Sequence, residues 1–109
     1  MGTTMTKRSE RAANMRTARD TAILEAAIAE AEEKGFSGIR QAAVATRAGV
    51  AKGGVIHAFG TMENLKSAVM EEAVDRFMPK IVAAGLALDH PIARNAPPDL
   101  RAAAAAAIS

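Results

Sequence analysis

Arg40 to Phe59 reads R-Q-A-A-V-A-T-R-A-G-V-A-K-G-G-V-I-H-A-F, and this stretch decides the fold. Ala45 and Gly49 stand four apart, and Val55 follows six after Gly49. That spacing suits two short helices that cross at a steep angle through a tight turn. The backbones need a small residue where they approach, and Ala45 supplies it. The turn needs positive φ, which Gly49 adopts at no steric cost. Val44, Ala48 and Val50 fill the surrounding apolar positions, and Val55 buries the inner face of the second helix. Lys52, Gly53, Ile56 and His57 are then left to face outward. In a helix-turn-helix of this kind the second helix enters the major groove of duplex DNA, and its first residues meet base edges. Ala-x-x-x-Gly also occurs in ordinary helical hairpins, so the flanks have to decide.

Toward the N-terminus, Thr17 to Lys34 reads as a helix. Leu24, Ala27, Ile28 and Ala31 fall at i, i+3, i+4 and i+7 and draw one apolar stripe, while Glu25, Glu30 and Glu33 lie off it. Gly35 ends that helix as an achiral residue should. Residues 1–16 are polar and basic without periodicity and read as a flexible arm. The second helix is expected over Ile39 to Arg47 and the third over Ala51 to Ala58. Thr61 is placed to cap a fourth helix that carries Glu63 in its first turn. Pro79 should break it near Met78. Residues 61–88 therefore read as a connecting helix in two pieces. Residues 89–109 read as a proline-containing linker and a short alanine-rich tail helix with little to bury. Leu24, Ile28, Val44, Val55, Phe59, Leu65 and Val69 are the expected core. Strand-like alternation is missing, so the class is all-α.

Composition narrows the function classes. With 109 residues the chain allows one domain. Half of its residues are hydrophobic, but 27 are alanine, and Leu, Ile, Val and Phe together number 21, so the core will be thin. The absence of cysteine excludes disulfides, thiol catalysis and cysteine-type zinc sites. No apolar run approaches the roughly 18 residues of a membrane span. The polar N-terminus is not a secretory signal, and a cytoplasmic location is the expectation. The net charge of +2 hides a pattern: residues 1–20 carry +3, 21–34 carry −3, 35–60 carry +3 with no acid at all, and 61–109 carry −1. Acid-poor basic segments attract polyanions through counterion release. His57 and His90 have no acidic partner three or four residues away, and a metal site needs three or four ligands. No nucleophile–base pattern or phosphate-cradling loop occurs. Neither an enzyme, a metal nor a cofactor is expected.

The flanks add a resemblance. I-L-E-A-A-I-A-E-A-E-E-K-G-F at 23–36, V-A-T-R-A-G-V-A-K-G-G-V-I-H-A-F at 44–59 and M-E-N-L at 62–65 resemble the tetracycline repressor family in order and spacing. The likeness covers about Thr17 to Val69. It implies a three-helix, TetR-like (homeodomain-like) helix-turn-helix head over residues 17–60, whose recognition helix is Ala51 to Ala58. It also implies that Lys52 and the positions of Gly54, Ile56 and His57 touch DNA and that the start of the second helix touches phosphate. The chain departs from the family where Gly54 replaces a Thr or Ser, Ile56 a Tyr and Met62 a Lys. Ile39 or Arg40 stands where a Thr usually opens the second helix. Ile and Met donate no hydrogen bond to phosphate. Gly53 and Gly54 each cost a helix about 1 kcal/mol relative to Ala. The expected DNA face is therefore Arg40, Arg47, Ala51, Lys52, Gly53, Gly54, Ile56 and His57, with the Arg16/Arg19 region steadying the backbone.

Two functions follow as expectations. One is a DNA-binding transcriptional regulator, a repressor by the resemblance, with double-stranded DNA as partner. The other is a protein-interaction module that has lost its DNA donors and associates with another regulator. Members of the family carry a larger C-terminal helical domain that dimerises and holds an effector. Glu71 to Ser109 offers little material for an enclosed cavity of ~300 Å³, so no effector pocket is expected. A homodimer or heterodimer would use the Met62 to Leu88 helix and the alanine tail.

Overall fold

The protein is described by a computed structural model over residues 17–107, and the expected arm at 1–16 lies outside them. Among the described residues every regular element is helical. Helix α1 runs Ala18–Lys34. Thr17 caps it by accepting from the Asp20 N–H at 3.0 Å, and Gly35, at φ +91°, ends it. One 3-10 turn, Phe36–Gly38, leads to α2 at Gln41–Ala48. Gly49 takes the left-handed conformation at φ +74°, and the Val50 N–H reaches the Ala45 carbonyl at 3.0 Å, closing the turn. Helix α3 spans Lys52–Phe59. Helix α4 spans Met62–Asp75 with Thr61 as its cap, accepting from the Asn64 N–H at 3.0 Å.

Two boundaries differ from expectation for local reasons. Ile39 is extended and buried rather than helical, because its side chain plugs the core before α2 begins. Arg40 and Ala51 stand just ahead of α2 and α3 in extended conformation. Leu24, Ile28, Val44, Val55, Leu65 and Val69 are buried as expected, and Phe59 is only half-buried at the core's edge. Ile23, Phe36, Met70 and Leu100 join them.

The C-terminal third departs furthest from the sequence reading. The fourth helix breaks where Pro79 required: Phe77 takes φ +54°, and α5 spans Pro79–Ala87 with the proline in its first turn. The stretch expected as a linker holds a short helix, α6, at Pro91–Arg94, and buries Ala93 and Ala96. The alanine tail forms α7, Pro98–Ala107, which packs on α5 and buries Leu100 and Ala104 completely. The reason is size. Small side chains let backbones approach, so alanines that bury little area each still complete one continuous core. Gly85 marks the closest approach: a Cβ there would lie 2.5 Å from Met70 Cε and 2.8 Å from Ala93 Cβ.

Charge fixes how α1 meets its neighbours. Glu30, expected off the apolar stripe, is 3 % exposed. Arg47 of α2 donates from Nε to Glu30 Oε2 at 2.9 Å and from Nη2 to Glu33 Oε1 at 2.7 Å. Lys34 Nζ lies 3.1 Å from the other Glu30 oxygen. The Arg47 hydrogen bond and then the Lys34 contact hold the Glu30 carboxyl below its usual pKa near 4.5. Arg76, after α4, makes a second bridge. It binds both carboxylate oxygens of Glu25, one of them at 3.2 Å, and reaches Glu72 from Nε at 2.9 Å. The hydrogen bonding of Arg76 to Glu25 lowers the Glu25 pKa as well.

Two stability predictions follow from this packing. Gly85→Ala should lower the melting temperature, because overpacking of about 1–3 kcal/mol exceeds the gain in helix propensity of about 1 kcal/mol. Gly53→Ala, where a Cβ meets nothing within 4 Å, should raise it. A Gly85→Ala protein that melts above wild type would show that α4, α5 and α6 are not this close. The second concerns acid. Carboxyl groups whose folded pKa lies below the unfolded value stabilise fully above about pH 4.5, and that stability goes as pH falls through the folded pKa. Glu30→Gln should therefore melt earlier than wild type at pH 7, with the gap closing toward pH 3. Equal melting curves at pH 7 would remove the clamp from the account.

Candidate nucleic-acid interface

The starts of α1 and α2 both reach α3, one near its end and the other at its beginning. Gln41, at the start of α2, donates from Nε2 to the Lys52 carbonyl at 2.9 Å. Arg19, in the first turn of α1, places Nη2 3.4 Å from His57 Nδ1. Val55 points into the core at 0 % exposure, which turns the opposite side of α3 outward.

Arg40, Ala51, Lys52, Gly53 and His57 are exposed, whereas Gly54 and Ile56 are half-buried. Among the described residues no carboxylate pairs with Arg40 or Lys52, so both cations are available to an external anion. Neither glycine is demanded by packing. A Cβ at Gly54 would meet Val50 only at an ordinary 3.8 Å, and neither has positive φ.

Arg47 is the exception. Expected at a phosphate, it is held by Glu30 and Glu33, and its own basicity is raised first by the Glu33 hydrogen bond and then by Glu30. A guanidinium committed to two carboxylates, one of them buried, ties α2 to α1 while its side chain stays 34 % exposed. The signal for this lay in the sequence: Glu30 stands seven residues after the buried Ile23, two helical turns along one face. The roles of Arg19 and Gln41 beside α3 had no such periodic signature.

Other candidate chemistry is sparse. Among the described residues no three His, Cys, Asp or Glu side chains gather as a metal site would need. His90 accepts from the Ile92 N–H at 3.2 Å, and its ring packs edge-on against Phe36 with centroids 5.8 Å apart. A half-open cleft of about 440 Å³ lies between the end of α1 and the start of α5, lined mainly by Ala31, Phe36, Met78, Pro79, Ile81 and Ala84. No helix among the described residues is long and apolar enough to cross a membrane.

Comparison with known proteins agrees with this geometry. The family model described as bacterial regulatory proteins, tetR family, matches residues 23–69. No curated protein and no solved structure matches the chain. The matched segment runs from α1 to the middle of α4 and contains the whole turn built on Ala45, Gly49 and Val55. The segment that folds as the helix-turn-helix is thus the one similar to the tetR family of bacterial regulatory proteins.

Proposed function

We propose that the chain acts as a transcriptional repressor that seats α3 in the major groove of duplex DNA. Lys52 and Arg40 neutralise phosphates on either side of the groove, and His57 faces base edges between them. One observation carries this reading. Residues 35–60 hold three basic residues and no acid, and at the starts of α2 and α3 Arg40 and Lys52 are exposed with no acidic partner among the described residues. Charge left unpaired on one exposed face is what counterion release needs.

A single head with so few phosphate contacts binds weakly, with Kd on the order of 10⁻⁴–10⁻⁶ M as for non-specific binding. Two linked heads gain through effective concentration, so the repressor works as a dimer, with itself or with another regulator. The surface for this lies on α4, α5 and α7, away from the face of α3.

A salt titration of DNA binding tests the assignment. Two phosphate contacts give a log–log slope of about −1.8 per head from the described residues, at roughly −0.9 per contact. Lys52→Ala should weaken binding to every sequence and flatten the slope by about one. Arg47→Ala should leave the slope unchanged while lowering the melting temperature. If the native chain shows no salt-dependent DNA binding, the repressor reading fails, and association with another regulator through protein contacts takes its place. Sedimentation gives a second check. A strict monomer at high micromolar concentration, alone and with DNA, would count against the dimer.

A further inference from the structure

Arg19 and His57 are 38 residues apart in the chain and belong to different helices, yet their side chains meet at 3.4 Å through Nη2 and Nδ1. The chemistry of the two groups allows only one arrangement. A guanidinium carries donors and no acceptor, so His57 Nδ1 must accept. Accepting there leaves Nδ1 without a proton, and the neutral ring then carries its proton on Nε2. Nε2 has no partner among the described residues, and the residue is exposed on the outer side of α3 with Lys52 and Gly53.

We propose that Arg19 is a positioning residue that sets the tautomer and orientation of His57, so that His57 offers an Nε2–H donor to a hydrogen-bond acceptor on one base edge. The acceptors available in the major groove are N7 and O6 of guanine, N7 of adenine and O4 of thymine, whereas the N4 amine of cytosine is a donor and is refused. Reading is thus done by α3 but aimed by α1. Removing Arg19 lets the ring turn and exchange tautomers, and a ring that can present either a donor or an acceptor discriminates less. This inference rests on the DNA-binding reading above and adds to it the class of atom recognised and the residue that aims the contact.

The test measures base preference, which a plain phosphate contact does not move. Duplexes selected from a randomised pool by the native chain are compared, by fluorescence anisotropy, with duplexes exchanged one base pair at a time. His57→Ala should lose about tenfold discrimination at one base pair. Arg19→Ala should lose it at the same base pair, and the double variant should lose no more than either single one. Both side chains are exposed, so unchanged melting curves verify that each variant is folded. The opposite result is equally plain. If Arg19→Ala weakens all duplexes alike and flattens the salt slope by about one, with the preference intact, Arg19 is an independent phosphate contact and the inference is wrong. If the native chain binds duplex but His57→Ala changes no base preference, this inference alone fails. If the native chain binds no duplex, the repressor reading and this inference fail together.

Discussion

A carboxylate shut away from water must keep its charge compensated, and in this protein that requirement falls on Glu30. Its two oxygens face Lys34 within α1 and Arg47 across in α2. Sliding α2 by one residue or turning it by a fraction of a turn would pull Arg47 off the buried oxygen and leave that charge poorly compensated. The position of α2 on α1 is therefore narrowly set, beyond what its short apolar face of Val44 and Ala45 could impose. From α2 the placement passes to α3 through the left-handed Gly49 and the Gln41 bond to the Lys52 carbonyl. Helix α3 is held at the end of a chain of contacts that starts with one acid group.

Seen this way, the sequence was legible where backbone geometry makes the demand and less so where side chains choose partners. Gly49 could be read because few residues tolerate its φ, and Val55 because its six-residue offset leaves one burial option. Thr61 and Pro79 announce a cap and a break by chemistry that hardly depends on context. Glu30 was misread as solvated because acids usually are, and only the packing of helices on both sides of α1 widens the buried arc to include it. Of the expected DNA-facing residues, Arg40 ahead of α2, Ala51 ahead of α3, and Lys52, Gly53 and His57 on α3 are exposed, while Ile56 and Gly54 are half-covered.

The tail shows a different limit. A run of six alanines has no stripe to read, since every face is equally apolar and equally small. Which alanine is buried depends on where a neighbour leaves room, and here the packing of α7 on α5 buries Ala104. Leu100 then anchors the helix, and Ala104 follows one turn later. A chain short of large side chains gains compactness through close backbones instead, and Gly85 has no room for even one methyl group.

Phe36 belongs to the matched head, yet it packs edge-on against His90 ahead of α6 and lines the same cleft as Ile81 of α5. On the ribosome the chain appears from the N-terminus, so α1, α2 and α3 emerge before the partners that cover Phe36 and the far side of α1. During that interval the head carries an uncovered aromatic and an open apolar flank, the state in which a nascent chain is most prone to meet a chaperone or another chain. The flank of the head thus stays open until the C-terminal third has been made, even though the turn at Gly49 is complete long before.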